Sequence, residues 1–394
     1  SNRNWGIGDF GDLKTLLKMT ADAGGEMVAV NPFHALSPQK PEQASPYWPS
    51  SRTYLNPLYV DLSQVSSAPA AGGTSGARVD YTEVARRKLK ALDEVAACYA
   101  SDPAVDDFID QGGDSLRNFC VFSALSQHFP GPWSSWPQEL RDPASAAVRE
   151  WAAGHDKDVR AHAVIQGLAE RQLAEAAAHT SAVLMRDLAV GVSPDGAEAW
   201  HRQALYPRGV SLGAPPDPLG PHGQNWGLPP PNPHILRALA YEPFVTTVRA
   251  NMRHAGSLRV DHAMALERLF WIPPGGTAAD GAYVGYPVDD LFAVLALESM
   301  RAKCLVVGED LGTVPAGFRE RMARDYMLST RVFYFERHEN GFLKRPELYP
   351  PRSVAQATTH DLPTLAGYWT GTDIRIRLAL KLGQDAVSYT HLTL

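Results

Sequence analysis

Three segments of the sequence end in acidic residues that could act together in catalysis. Each follows a short apolar run, and they end in Asp261-His262, Glu309-Asp310 and His360-Asp361. Glycoside chemistry uses two carboxyl groups, of which one attacks the anomeric carbon and the other protonates the leaving oxygen. A third acid can bind sugar hydroxyls and raise the pKa of the proton donor. The acids therefore indicate chemistry on sugar acetals.

Basic and imidazole groups stand beside these acids. Arg259 is two positions before Asp261, so the two side chains share one face of an extended strand. A guanidinium at this distance would keep Asp261 ionised and able to attack. His262 and His360 could donate hydrogen bonds to sugar hydroxyls, although a single histidine at such a place is more often structural.

The spacing of the acids predicts the elements that position them. Asp261 and Glu309 are 48 residues apart, Glu309 and Asp361 are 52 apart, and helical patterns lie between them. Strands that alternate with helices form a parallel sheet, and a (β/α) barrel places its functional groups at the C-terminal strand ends. We expect the three acids to share one pocket, with Asp261 and Glu309 about 5–5.5 Å apart for a retaining reaction. The alternative is that each acid caps the helix after its strand.

The remaining chain predicts an α/β fold of the TIM-type (β/α)8 barrel class. Further strand ends are expected near Val30, Val60, Val192 and Phe335, which gives seven, whereas a closed barrel has eight. We therefore expect an incomplete barrel, truncated at both ends. We expect residues 1–62 to form the start of the barrel with a substrate loop, and residues 183–394 to form its remainder. Residues 63–182 are expected to be a mostly helical insertion, with a small-residue linker at 68–76.

Four further residues are candidates for substrate contacts. Asp187 lies inside a predicted strand, where a buried acid is either part of a structural ion pair or a member of the site. Tyr47 lies in a Pro-rich loop and is either a platform for a sugar face or a filler of the loop. Asn225 and Trp226 lie in a long Pro- and Gly-rich loop, which suggests a shaped lid.

Composition narrows the classes of partner and compartment. The 394 residues are 44% hydrophobic and 20% charged, with a formal net charge of −6, which gives no electrostatic reason to expect nucleic acid or an anionic membrane. No apolar run is long enough to span a bilayer. The three cysteines, which lack metal-ligand spacing, favour a reducing compartment, and hence a cytoplasmic location, over a disulfide framework or a zinc site. Without an initiator Met, the chain is expected to begin inside a longer protein.

Several motifs together resemble the bacterial 4-α-glucanotransferases, the amylomaltases or disproportionating enzymes of glycoside hydrolase family 77 in the α-amylase clan. RVDH at 259–262, GEDLG at 308–312 and THDLPT at 359–364 resemble the three acid-bearing segments of that family. The likeness extends through almost the whole chain, in NWGIGDFGDL, SPYWPSS, PPDPLGPHGQNWGLPP, GAYVGYPVDDL and RVFYFERH. The family pattern continues beyond THDLPT, and residues 387–394 do not fit it.

The resemblance implies a role for each candidate. Asp261 would be the nucleophile, Glu309 the general acid/base and Asp361 the stabiliser of the transition state. The expected substrate contacts are Tyr47, Asp187, Asn225, Trp226, Arg259 and His360, with Asn225 and Trp226 closing over the acceptor side. The resemblance implies malto-oligosaccharides and glucose as donor and acceptor, with neither a metal nor an organic cofactor.

Two other classes of function remain open. The same acids would serve an α-glucan hydrolase in which water replaces the sugar acceptor, but a lid that excludes water favours transfer. A non-catalytic glucan-binding protein is the other class, and the presence of all three acids argues against it. A nucleotide-binding fold is disfavoured because GIGDFG follows no strand and lacks the GxGxxG or GK[ST] pattern.

Overall fold

Parallel strands alternate with helices, as the spacing of the acids predicted. The computed structural model describes residues 3–65, 68–69, 78–99, 101–216 and 222–379. Its contacts divide the chain into two compact units, Ser1–Val306 and Val307–Leu394. Most of the predicted linker at 68–76 and all of residues 387–394 lie outside the described residues.

The first unit contains both strands and helices. Its strands are β1 (Met27–Ala29), β2 (His34–Ala35), β3 (Ser51–Leu55), β4 (Val183–Leu188), β5 (Ser211–Ala214), β6 (Gln224–Asn225), β7 (Ser257–Val260), β8 (Arg268–Ile272) and β9 (Ala282–Gly285). Its helices are α1 (Phe10–Asp22), α2 (Tyr81–Cys98), α3 (Pro103–His128), α4 (Ala146–Gly154), α5 (Asp156–Ala177), α6 (Ala197–His201), α7 (Pro233–Ala238), α8 (Glu242–Met252) and α9 (Val288–Ala302).

Strand β4 lies at the centre of the parallel sheet of this unit. It pairs in parallel with β1 on one side and with β7 on the other. Five of its six residues are buried, because both faces and both edges of the strand are covered. Strand β10 (Leu305–Gly308) begins in this unit, where the Leu305 N–H donates to the Gly256 carbonyl at 3.0 Å.

The second unit continues the alternation. It contains the end of β10, β11 (Leu328–Val332) and β12 (Ser353–Gln356), with α10 (Phe318–Arg324), α11 (Leu365–Trp369) and α12 (Thr372–Ala379). Strand β11 pairs in parallel with β10 and with β12. The described residues of the two units thus contain six parallel strands, three of which belong to the first unit and one of which crosses the boundary.

A second sheet, which the sequence did not predict, is antiparallel. Its order is β6, β5, β8, β9, and the β5–β6 hairpin presents Asn225 and Trp226. Gly213 of β5 permits the close pairing, since a Cβ there would lie 2.0 Å from the Gln224 carbonyl oxygen. The loop predicted as a lid is therefore partly a hairpin built onto a sheet.

The helices of residues 81–177 share a core with the beginning of the chain. Phe10 and Leu17 of α1 join Leu92 of α2, Leu173 of α5 and Leu184 of β4 in one buried cluster. α3 bends at Gly113, whose backbone is left-handed with φ 54°. Within the described part of the chain, no helix is both long and apolar enough to cross a bilayer.

Two glutamines on α5 hold the segment after β3. The Gln166 side chain accepts the Leu55 N–H at 3.0 Å and donates to the Leu55 carbonyl at 2.8 Å. Gln172 contacts Asp61 in the same way, at 2.7 and 2.9 Å. Each amide thus replaces a strand partner for one residue of a buried segment.

These contacts explain why the strand expected near Val60 is wrong. Six residues of α5 span about 9 Å, whereas six extended residues would span about 20 Å. The segment from Leu55 to Asp61 must therefore contract to meet both glutamines. It does so through a 3₁₀ turn at Pro57–Tyr59, which the Asn56 side chain caps.

The strand expected to end near Phe335 ends three residues earlier. β11 ends at Val332, and Phe333–Phe335 forms a 3₁₀ turn. The strand expected to reach Val192 ends earlier, at Leu188. The strand ends expected at Val30, Asp261, Glu309 and Asp361 have their strands close by, although β12 ends five residues before Asp361.

We expect Gln166→Leu to lower the free energy of unfolding by about 2–5 kcal/mol, because it leaves a buried N–H and a buried carbonyl of Leu55 without partners. Denaturant unfolding followed by circular dichroism measures this change. Gln127→Leu on the exposed face of α3 is the matched control and should change stability by less than about 0.5 kcal/mol. A Gln166 variant as stable as the control would contradict the structural role of the amide.

Candidate active site

The pairing of β4 with β7 brings three of the candidate residues together. Asp187 and Arg259 are directly opposite each other in register. Arg259 Nη1 contacts both carboxylate oxygens of Asp187 at 2.7 Å, and Nη2 contacts Asp261 Oδ1 at 2.9 Å. Just past the end of β7, the Asp261 N–H donates to the Leu188 carbonyl at 3.0 Å. One guanidinium therefore lies between two carboxylates at neighbouring strand ends.

Tyr47 completes this arrangement from the Pro-rich loop. Its hydroxyl donates to Asp187 Oδ2 at 2.7 Å. Asp187 is therefore a buried member of an ion pair whose guanidinium also contacts Asp261, while its membership of the site stays a prediction. The contact also fixes one end of Tyr47 at the site. We name Tyr47, Asp187, Arg259 and Asp261 the strand-end chain.

Burial determines the electrostatics of this chain. It raises the pKa of Asp187 to about 6, and the nearby Asp261 carboxylate adds to that effect against the opposing charge of Arg259. Burial and the Asp187 carboxylate also raise the pKa of Tyr47, which therefore stays a donor. Burial opposes the charge of Arg259, but Asp187 and Asp261 more than offset it and raise the pKa of the guanidinium. Asp261, with 20% of its side chain exposed, remains accessible.

The β5–β6 hairpin contacts the residue after Asp261. The ring of Trp226 packs edge-on against His262, with ring centroids 5.3 Å apart. Asn225 accepts hydrogen bonds from Ser211 Oγ and the Gly227 N–H, at 2.6 and 3.0 Å. Burial lowers the pKa of His262, which favours a neutral ring. The rest of the predicted lid includes residues 217–221, which lie outside the described residues.

In the second unit, the structure separates the two acids that follow β10. Asp310 is fully buried and accepts hydrogen bonds from Arg319, Ser329 and Arg331 and from the Thr330 N–H. Burial alone would raise the pKa of Asp310, but these donors lower it below its usual range. Glu309 is half-buried and accepts the Leu311 N–H at 2.8 Å. Asp310 is therefore a structural acid, and Glu309 is the one that remains partly accessible.

His360 and Asp361 lie in the turn after β12. His360 Nε2 is 3.2 Å from Asp361 Oδ2, and 77% of the Asp361 side chain is exposed. The Asp361 N–H donates to the Thr359 hydroxyl. Asp261 belongs to the first unit and Glu309 and Asp361 to the second, so the predicted distance from Asp261 to Glu309 and the shared pocket stay predictions.

The alternative that the acids cap the following helices is wrong. The turn after Asp261 has His262 at its N-cap, α10 begins after Gly317, and α11 has Thr364 at its N-cap. Other residues therefore fill the capping positions.

Two residues that the sequence did not single out support the strand-end chain. His34 and Arg52 both bind the backbone directly after β4, where residues 189 and 190 turn away from the sheet. No motif in the sequence marks either residue, because each acts on main-chain atoms that are distant along the chain.

Comparison with known proteins identifies the family. The sequence matches the 4-alpha-glucanotransferase family of glycoside hydrolases over residues 1–390. The chain belongs to this family. It is 37% identical to the 4-alpha-glucanotransferase of Haemophilus influenzae, covering 95% of this chain and 59% of that protein. It is 35% identical to that of Mycobacterium tuberculosis, covering 97% and 58%. The chain thus spans about three fifths of the length of these relatives.

Solved structures of amylomaltases have the same fold. The crystal structure of amylomaltase from Corynebacterium glutamicum aligns with a TM-score of 0.87 and 28% identity. The alignment covers all of this chain and 58% of that amylomaltase. The amylomaltase from Streptococcus agalactiae in complex with acarbose aligns with a TM-score of 0.83 and 20% identity. The alignment covers 93% of this chain and 78% of that amylomaltase. The fold is therefore TIM-like α/β, as expected of a 4-alpha-glucanotransferase.

The raised pKa of Asp187 predicts a specific dependence of stability on pH. Its folded value of about 6 lies above the unfolded value of about 3.9, so protonation of Asp187 favours the folded state. That contribution is complete below about pH 4 and is lost as the pH rises through about 6, for a total of about 3 kcal/mol. Asp187→Asn should remove this part of the slope when unfolding free energies are measured from pH 4 to 7.

Asp107→Asn, which removes an exposed acid of α3, controls for the general loss of a carboxylate. An Asp187 variant whose stability falls as steeply with pH as that of the unsubstituted protein would show that Asp187 is ionised throughout this range.

Proposed function

We propose that this chain transfers segments of α-1,4-glucan between malto-oligosaccharides, with glucose among the acceptors, by a retaining double displacement. The observation that carries the proposal is the strand-end chain, in which Arg259 joins a buried Asp187 to an accessible Asp261. The relatives named above are 4-alpha-glucanotransferases and support the same reaction.

The first step forms a glycosyl-enzyme. One Asp261 carboxylate oxygen attacks the anomeric carbon, the bond from that carbon to the leaving oxygen breaks, and Glu309 gives its proton to that oxygen. Arg259 keeps Asp261 ionised for this attack, since a neighbouring cation favours the charged form. Asp361 stabilises the positive charge that develops on the sugar ring, and His360 contacts a sugar hydroxyl.

The second step decides between transfer and hydrolysis. Glu309 removes the proton from an acceptor hydroxyl, whose oxygen attacks the anomeric carbon and releases Asp261. Two inversions give net retention. Tyr47 and Asp187 position the donor sugar, while Asn225 and Trp226 cover the acceptor side. The packing of Trp226 against His262 supports a role in excluding water from the ester at Asp261.

The chemistry uses carboxyl groups alone, so the proposal includes neither a metal nor an organic cofactor. All three cysteines are unpaired, which supports a cytoplasmic location. We also infer that residues 63–182 are an insertion between barrel strands, because β1 pairs directly with β4 although α2 to α5 lie between them in sequence.

Replacing the nucleophile tests the first step. Asp261→Asn should lower turnover by at least about a thousandfold, because an amide cannot form the glycosyl ester. Added azide should restore activity on an activated α-maltosyl donor and give a β-configured glycosyl azide, which nuclear magnetic resonance identifies. The exposed-acid control Asp107→Asn should behave as the unsubstituted protein, and a near-normal rate for the Asp261 variant would remove this residue from the mechanism.

Maltotriose distinguishes transfer from hydrolysis. The protein should convert it to longer and shorter glucans plus glucose, with little gain in total reducing ends. Trp226→Ala should raise the ratio of hydrolysis to transfer several-fold, because water would reach the glycosyl-enzyme. Trp151→Ala, a ring that stacks on His155 in the helical segment, is the matched control. A steady rise of reducing ends with the unsubstituted protein would assign hydrolysis instead.

A further inference from the structure

We propose that Arg52 is a positioning residue that fixes the main chain on which Asp187 and Asp261 stand. This inference rests on the proposed function, because it assigns a role to Arg52 in the same reaction. Arg52 lies on β3, outside the strands that carry the acids, and only 14% of its side chain is exposed.

The guanidinium of Arg52 binds the turn directly after β4. Its Nη1 donates to the Val190 carbonyl at 3.1 Å and to the Ala189 carbonyl at 3.5 Å. The preceding carbonyl, that of Leu188, accepts the N–H of Asp261. Only one hydrogen bond, from the Asp261 N–H to the Leu188 carbonyl, therefore lies between this turn and the Asp261 backbone. Movement of the turn would displace Asp261.

Arg52 is itself held in one orientation. Its Nη2 donates to Glu198 Oε1 at 2.8 Å and to the Tyr206 hydroxyl at 2.9 Å, and its N–H donates to Glu198 Oε2 at 3.0 Å. The Tyr206 hydroxyl donates to the same glutamate at 2.6 Å. Asn251 of α8 donates to the Arg52 carbonyl at 2.9 Å. The donors that face residues 189 and 190 are thus set by elements outside the strand-end chain.

His34 binds the same turn through the Ala189 N–H. The Ala189 N–H donates to His34 Nε2 at 3.2 Å. Burial, assisted by the charges of Arg186 and Arg52, lowers the pKa of His34 well below its usual value, so the ring is neutral and can accept. The Leu188, Ala189 and Val190 carbonyls and the Ala189 N–H therefore all have partners.

Stability alone does not account for this arrangement. A buried ion pair is often no more stabilising than well-packed apolar residues of the same size. Arg52 Nε also lacks a hydrogen-bond partner among the described residues, which carries a cost. A cavity of about 80 Å³ is lined by both Arg52 and Asp261. Residues 188–190 line the same cavity, so the hydrogen bonds from Arg52 hold this turn on a side where side chains do not fill the space.

The test replaces the ion pair without leaving a buried charge. In the double variant Arg52→Met, Glu198→Leu both charges are removed together, which keeps the core apolar. We expect its kcat for maltotriose transfer to fall 10- to 100-fold and its KM to rise by no more than a few-fold, since Asp261 is displaced together with only one of the proposed sugar contacts, Asp187. The control is Arg249→Met, Glu298→Leu, which removes another two-point Arg–Glu pair, between α8 and α9 and with a more exposed arginine, and should leave kcat unchanged.

A second measurement does not depend on activity. Amide hydrogen exchange of peptides covering residues 187–191 and 259–262 should become at least about tenfold faster in the Arg52 and Glu198 double variant and not in the control. If that double variant does not fold, Arg52→Lys replaces it. Lysine keeps the charge beside Glu198 but cannot bridge to the two carbonyls, so it should show a smaller loss of kcat and the same faster exchange.

The outcomes separate the two proposals. Unchanged kcat and unchanged exchange in the folded variant would refute the positioning role of Arg52 while leaving glucan transfer intact. An unsubstituted protein without transfer activity would refute the proposed function, and the exchange measurement would still decide whether Arg52 fixes this turn.

Discussion

The candidate site depends on the sharing of one guanidinium between two carboxylates. Arg259 can contact both Asp187 and Asp261 because β4 and β7 are parallel and in a register that sets Asp187 opposite Arg259. A shift of one residue would turn one of these side chains to the opposite face of the sheet. With a shifted register, Asp187 would lose the cation that compensates its burial, and Asp261 would no longer share that cation with Asp187. The register therefore has a chemical consequence.

In the first unit, contacts from buried side chains to main-chain atoms hold the segments around the strand ends in place. Gln166, Gln172, His34 and Arg52 are buried polar residues whose partners are peptide groups of distant segments. Loops that leave a parallel sheet have peptide groups that the sheet cannot satisfy, and burying them without partners is costly. Long polar side chains solve this problem and connect the loops at the strand ends to the helices behind them.

Sequence reasoning succeeded where the signal was local. Apolar runs that end in acids predicted the strands before Asp261 and Glu309. Helical patterns within 63–182 and between the acids predicted helices there, among which are α2, α5 and α9. It failed where a distant partner decides the conformation. Val60 has strand-like neighbours, but the glutamines of α5 require a contracted turn there. Nothing in the local sequence marks Asp310 as the buried acid beside Glu309, because the donors to Asp310 come from α10 and β11.

The paired glutamines also restrict how this chain can vary in length. Gln166 and Gln172 are six residues apart, as are Leu55 and Asp61, and each contact uses both polar groups of an amide. An insertion or deletion between either pair would misalign one contact and leave two buried peptide groups without partners. Insertions and deletions among related chains should therefore fall outside residues 55–61 and 166–172. A sequence alignment that places a gap inside either stretch is misaligned there.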